Sequence, residues 1–324
     1  MMSILVTGCA GFIASKVTEQ LLREGQRVVG VDNLNNAYAP RIKEWRLAQL
    51  QKKPGLVFHH LDISDREGMA AIFRENRFEA VINLAARAGV RQSVLEPQLY
   101  YATNQDGTLN LLELCRQHEV KKFVLASTSS LYGSHNPRPF REDADTSRPL
   151  SPYAASKKAA ETLCYVYHYL HGLDITVLRY FTVYGPAGRP DMSVFRFVRW
   201  IAEGDPLTVF GDGLQERDFT YVDDIARGTI RGLKPVGFDV INLGSDHPVR
   251  LKYVIQTLED LLGKKAKIRF QPAHPADVAA TWADIAKARS LLQWAPEVTI
   301  EQGLEQAVRW YATNRDWARE VPLD

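Results

Sequence analysis

Ser3-Ile4-Leu5-Val6-Thr7-Gly8-Cys9-Ala10-Gly11-Phe12-Ile13-Ala14 runs from an uncharged, β-prone segment into a glycine-bearing turn, then into the amphipathic stretch Lys16 to Glu24 and the turn residue Gly25. A short apolar run without charge suits a strand buried on both faces of a parallel sheet. The order is therefore strand, glycine loop, helix. Gly8 permits the tight turn and Gly11 lets the backbone approach a pyrophosphate at the positive end of the helix. Ala14 stands where a third glycine is usual, a change that the fingerprint tolerates. The next strand, Arg27 to Val31, ends in Asp32-Asn33, about where an acid for a ribose hydroxyl is expected, roughly 20 residues past the loop. That carboxylate repels a 2′-phosphate, and no arginine adjoins it before Arg41, so the pattern favours NAD over NADP.

Beyond this unit, apolar strand candidates alternate with helical patterns: Leu56 to His60, Ala80 to Leu84, Phe123 to Ala126 and Ile175 to Arg179. The alternation predicts an α/β fold, a Rossmann-type doubly wound parallel sheet. Ligands bind such sheets at the carboxyl ends of the strands. Asp62-Ile63, Ala85-Ala86-Arg87 and Ser127-Thr128-Ser129 follow the third, fourth and fifth strands and should line one crevice, Asp62 as an acceptor for adenine. Downstream, Tyr153 and Lys157 are spaced to share a helix face. A free tyrosine has a pKa of about 10. A cation beneath it, together with an oxidised nicotinamide ring, should lower that value and make the phenolate a base. A hydroxyl from the 127–130 run would hold the substrate oxygen whose proton Tyr153 removes.

The chain has 324 residues, 45% of them hydrophobic, with a formal net charge of +2. That length accommodates two lobes of ordinary size. The near-neutral balance, without long charged blocks, gives no reason to expect nucleic acid or a membrane surface as partner. Cys9, Cys115 and Cys164 are scattered and odd in number, which argues against a disulfide framework and against a zinc site, and for a reducing compartment. With no basic leader or long apolar run ahead of the first strand, the expected location is the cytoplasm, and no metal is expected.

The chain resembles the extended short-chain dehydrogenase/reductase superfamily, and within it the nucleotide-sugar 4-epimerases. The matching residues are Gly8 to Ala14, Asp32-Asn33, Asp62-Ile63, Leu84-Ala85-Ala86, Ser127 to Gly133, Tyr153 with Lys157, Leu178 to Gly185 and Arg217 to Asp224. Gly185 to Met192 looks like the loop of the UDP-glucuronate 4-epimerase group, and Pro275 to Thr281 is similar to that group's later uridine-side segment, with Ala276 in place of its usual glycine. The resemblance implies that Gly8, Gly11, Phe12, Ile13, Asp32, Asn33, Asp62, Ile63, Leu84, Ala85 and Ala86 hold NAD together with Tyr153 and Lys157. It implies a catalytic trio of Thr128, Tyr153 and Lys157. C4 of a UDP-sugar would be oxidised transiently and reduced again on its other face, with no net redox change. Sugar-nucleotide 4,6-dehydratases need an Asp-Glu pair after the active-site threonine, whereas here Ser129-Ser130 follow Thr128, and no decarboxylase-like carboxylate is evident near that tip.

A uronic acid substrate would pass through a β-keto acid, whose carboxylate must be held out of line with the ketone. Ser129, Ser130 and Thr182 are the expected cradle, with Arg189 adding charge; Arg217 is expected on the diphosphate and Asp277 on the uridine ribose. Ordinary capping and turn formation is the competing reading of the hydroxyls, and a surface ion pair that of Arg217-Asp218. The expected division is a NAD-binding Rossmann domain of residues 1–181 and 218–245, with a smaller, discontinuous α+β substrate-binding lobe of 182–217 and 246–324. Val240 to Gly244 reads as a return to the main sheet. Aromatic residues around Tyr165 to His171, with the stretch Tyr100 to Cys115, suggest the helical homodimer contact of the superfamily. The alternatives are a UDP-glucose/UDP-galactose 4-epimerase and, from another class, a non-enzymatic NAD-binding sensor, which would not need the intact Tyr-Lys pair.

Overall fold

The computed structural model describes residues 2–272 and 278–323. The apolar runs become the strands of one sheet: β1 (Ser3–Thr7), β2 (Val28–Asp32), β3 (Leu56–His60), β4 (Phe78–Asn83), β5 (Lys122–Thr128) and β6 (Asp174–Tyr180). All six pair in parallel, in the spatial order β6-β5-β4-β1-β2-β3. The reversal of strand order beside β1 creates the crevice in which doubly wound sheets bind ligands. Side chains alternate between two cores, as the two-residue strand period requires. Ile4 and Val6 pack with Val17 and Leu21 on one face, and Leu5, Val81 and Phe123 pack with Phe73, Leu111 and Leu112 on the other. Cys9 belongs to the first core, Cys115 and Cys164 to the second, and burial pushes all three thiols well above their ordinary pKa.

After β6 the chain leaves the sheet. It forms β7 (Thr182–Tyr184), β8 (Pro206–Phe210) and β9 (Glu216–Tyr221), returns to the main sheet as β10 (Phe238–Leu243) in parallel beside β6, and ends with β11 (Pro248–Arg250) and β12 (Lys267–Gln271). A three-stranded sheet in the order β11-β9-β7 and a two-stranded β12-β8 sheet share a separate core built on Phe197, Val209, Phe219, Val254 and Leu304. Strand β9 runs continuously through the junction expected at 217/218.

Helix Pro152–His171 is locked to the sheet by a buried ion pair. Arg179 on β6 donates to both Glu161 oxygens at 2.9 and 2.8 Å, and its remaining terminal nitrogen reaches the Tyr132 hydroxyl at 3.0 Å and the Glu142 carbonyl at 3.2 Å. Ser127 on β5 donates to the same carboxylate at 2.6 Å. Both ions are 3% exposed, so removing one leaves an uncompensated charge in the interior. We expect Arg179→Met to cost about 3–5 kcal/mol and the double variant Arg179→Met/Glu161→Met to recover most of it, measured by urea unfolding.

Candidate active site

The glycine loop is shaped by space as much as by backbone angle. Gly8 has φ +68°, and a Cβ there would stand 2.8 Å from the backbone of Ala85. Gly11 is ordinary in φ, but its Cβ would meet the Gly8 carbonyl at 2.8 Å. Helix Phe12–Arg23 then starts four residues earlier than its amphipathic pattern suggests, with no side-chain cap and no acid in its first turn. Its first N–H groups are therefore left for an anion, which is the donor set a pyrophosphate fits. Asp32 is buried and fixed, accepting the Ala10 N–H at 3.0 Å and the Leu34 N–H at 2.8 Å. Asp62 accepts from Asn33 and from the Ser64 amide and hydroxyl at 2.8 and 2.6 Å. Burial works against ionisation of Asp62, but these hydrogen bonds prevail and hold its carboxyl below the usual range. Gly8, Gly11, Asp32, Asn33, Asp62, Ile63, Leu84, Ala85 and Ala86 line a single crevice of about 80 Å³, together with Tyr38, Lys43 and Arg189. Phe12 lines a smaller neighbouring pocket with Thr182 and Arg189.

Across the strand tips, Ser151 caps helix Pro152–His171 by accepting the Ala154 N–H at 3.2 Å. This sets the first turn so that Tyr153 faces Thr128 at the end of β5. Burial raises the Tyr153 pKa; hydrogen bonding with Thr128 and the charge of Arg189 oppose it. Lys157, expected from its spacing to sit beneath the phenol, follows one helical turn later on the same helix. Lys157 is itself buried, and desolvation takes its pKa down to about 8 against the pull of Glu161. Tyr100 meets the Tyr153 ring edge-on at 6.2 Å.

Thr128, Ser129 and Ser130 form the strand-to-turn junction. The Thr128 hydroxyl accepts the Ser130 N–H at 3.1 Å and donates to Ser130 Oγ at 3.2 Å, so capping and site geometry use the same atom. Thr182 is half-buried on β7. Arg189 is drawn to the dinucleotide side of the cleft: it pairs with Asp191 at 2.6 Å, donates to the Ala88 carbonyl at 3.1 Å and lies over the Tyr38 ring at 5.2 Å. Arg217 donates to the Glu216 carbonyl at 2.9 Å. Asp218 is no surface ion-pair member: it is fully buried and accepts N–H groups of Ser245, Asp246 and Ala283. Asp277 lies outside the described residues.

Sequence reasoning passed over helix Pro40–Gln51, which supplies the crevice with cations. Lys43 is buried over the Tyr38 ring at 4.7 Å and donates to the Asn35 carbonyl and side-chain oxygen at 2.7 and 2.9 Å. Burial lowers its pKa to about 8 despite the nearby Asp32. Also missed was Asn104, on a single π-turn at Ala102–Asp106 inside the helical run before β5. It accepts the Arg87 N–H at 2.8 Å and donates to the Arg87 carbonyl and Ser156 Oγ, both at 2.9 Å, tying the loop after β4 to the Tyr153 helix. Among the described residues no cluster of His, Cys, Asp or Glu is arranged to hold a metal ion.

A seven-stranded parallel sheet with a glycine-loop crevice and a Tyr-Lys helix facing it defines a member of the extended short-chain dehydrogenase/reductase superfamily. Residues 5–307 match the family described as GDP-mannose 4,6 dehydratase, and the chain belongs to that family. It is 55% identical, over 98% of its length and 99% of the relative's, to a UDP-glucuronate 4-epimerase of Thermodesulfobacterium geofontis. It is similar to the Bacillus cereus UDP-glucuronic acid 4-epimerase solved with UDP-glucuronic acid and NAD, at 38% identity and a TM-score of 0.91, covering 97% of this chain and 100% of that one. A UDP-glucose 4-epimerase of Thermotoga maritima solved with UDP-glucose matches at 34% identity and a TM-score of 0.89, over 97% of this chain and 100% of its own.

Folding takes Lys157 from 10.5 to about 8, so between those values the unfolded chain binds the extra proton and the group's contribution to stability rises with pH. Lys157→Met should therefore stabilise the ligand-free protein relative to the parent at pH 7, and the difference should shrink by up to about 3 kcal/mol by pH 10.5, read from urea midpoints.

Proposed function

We propose that this chain is an NAD-dependent UDP-glucuronate 4-epimerase, inverting C4 to give UDP-galacturonate through a transient 4-keto sugar. The observation that carries the reading is the Thr128–Tyr153 pairing at the strand tips, one helical turn from Lys157 and bordering a crevice whose donors and glycines fit a dinucleotide. The 55% identity over nearly the whole of both chains supports the substrate. When bound, NAD accepts the C4 hydride and returns it.

Tyr153 takes the proton of the C4 hydroxyl, and Thr128 steadies the same oxygen as charge develops. Burial disfavours the Tyr153 phenolate, while the Thr128 hydrogen bond and the positive charge of Arg189 favour it. Lys157 would hold the ribose next to the nicotinamide. Once the 4-keto sugar has turned over, Tyr153 gives its proton back to the oxygen at C4. Ser129, Ser130 and Thr182 hold the sugar carboxylate off the axis that decarboxylation requires. Two hydroxyls follow Thr128 where a dehydratase needs an acid and a base, so the reading within this family is inversion and not loss of water.

The smaller lobe, 182–217 with 246–324, is assigned to the uridine diphosphate, with Arg217 on the diphosphate and Asp277 on the ribose; 1–181 with 218–245 is assigned to NAD. We also assign a homodimer and a cytoplasmic setting. Tyr169 is 75% exposed and Leu170 62% on the Tyr153 helix, with Leu99 and Tyr101 exposed on a helix packed against it, a face suited to a second copy. Among the described residues no helix is long and apolar enough to cross a membrane.

Purified protein incubated with UDP-glucuronate should yield UDP-galacturonate by proton NMR, without net NADH. A UDP-pentose product, or turnover of UDP-glucose alone, would overturn the substrate assignment. Tyr153→Phe should lower kcat by about 10²-fold or more while the protein still binds NAD. Tyr169→Glu/Leu170→Glu should halve the mass seen by light scattering.

A further inference from the structure

Arg46, on helix Pro40–Gln51, is 3% exposed, yet none of its hydrogen-bond partners is a carboxylate. All five guanidinium N–H groups are spent on neutral oxygens. Nε and one terminal nitrogen donate to the Ala187 carbonyl at 3.0 and 2.6 Å, the latter nitrogen also to the Gly188 carbonyl at 3.2 Å. The other donates to the Tyr38 hydroxyl at 2.8 Å and the Ala10 carbonyl at 3.2 Å. Burying a cation without a carboxylate is costly, and here the five hydrogen bonds and the faces of Phe12 and Tyr38, each 5.6 Å from the guanidinium, offset that cost while joining remote segments. Ala10 sits in the glycine loop. Ala187 and Gly188 form the turn that presents Arg189, with Ala187 held in the left-handed region at φ +52°, an uncommon conformation for a residue with a Cβ.

We propose that Arg46 is a positioning residue that couples the dinucleotide site to the nucleotide-sugar site, a step that rests on the two-ligand reading above. With every donor engaged, it has none left for a ligand. A pyrophosphate on the N-terminus of helix Phe12–Arg23 fixes the 8–12 loop and with it the Ala10 carbonyl. Through the guanidinium this fixes the 187–188 turn and the side chain of Arg189. The helix that carries Arg46 is anchored on the far side by Trp45, whose ring lies 5.4 Å from Trp310 and 6.0 Å from Trp317, and by Ile42 packed with Phe195. It is therefore bound to the smaller lobe's helices while its arginine reaches the glycine loop. A lysine has a single ammonium and cannot span four oxygens on three segments.

The test is calorimetric titration of UDP, a probe that does not react, into NAD-depleted and NAD-loaded protein. In the parent, NAD should tighten UDP about fivefold or more, and UDP should tighten NAD by the same factor. In Arg46→Lys the factor should fall to near one, and amide exchange over 185–191 should no longer slow when NAD is added. A purely packing role would speed exchange equally with and without NAD and leave the coupling factor intact, which would overturn the proposal; so would a parent coupling factor of one. Should Arg46→Lys fail to fold, Tyr38→Phe, which removes one acceptor only, should show an intermediate factor, and the full parent factor there would count against the proposal. A parent that binds neither NAD nor UDP would instead defeat the functional reading itself.

Discussion

The site exists because a carboxylate and a guanidinium are buried together beneath it. Glu161 lies one turn beyond Lys157, and its oxygens are shared between Arg179 on β6 and Ser127 on β5. Arg179 is in turn stacked against Tyr132 at 5.0 Å, whose hydroxyl donates to Asn242 on β10 at 2.6 Å. Three neighbouring strands, the turn after β5 and the Tyr153 helix are thus referred to one charge pair. Isolated buried pairs contribute little net stability. Their value here is register: a slip of the helix by one residue would break the fork and carry Tyr153 away from Thr128.

Above that pair the cleft is electropositive in a graded way. Lys43 and Lys157 are both desolvated to a pKa of about 8, whereas Arg189, beside Asp191, keeps its charge. Burial raises the pKa of Tyr153 and of its edge-on neighbour Tyr100. The cleft therefore gathers positive groups suited to anionic ligands, beside a phenol that burial disfavours as an anion and Arg189 favours.

Much of the scaffold was legible because it obeys short-range rules. Strands β1 and β3 begin and end where the apolar runs do, and Gly8 with Gly11 marks the loop. What escaped was polar material turned inward. Helix Pro40–Gln51 buries Lys43 and Arg46 on the same face as Ile42 and Leu47, which cancels the amphipathic signal. Asp218 escaped for a related reason, since its partners are backbone amides more than 25 residues away. The segment from Pro137 to Pro149 is pinned by Phe140, which exchanges backbone hydrogen bonds with Trp282 and Asp284 and stacks on Tyr132 at 4.8 Å, long-range contacts that no local pattern shows. Arg189 was recognised from its motif, but its orientation toward Asp191 and Tyr38 depends on a left-handed alanine that no local pattern announces.

The three cysteines have a practical consequence. Each thiol is enclosed in the Rossmann cores and held far from ionisation, and a protonated, inaccessible sulfur is a poor nucleophile. The native surface is therefore silent toward maleimides and spin labels. One cysteine introduced on each lobe would take up probes cleanly, allowing the width of the cleft to be followed in solution without first stripping the protein of its own sulfur.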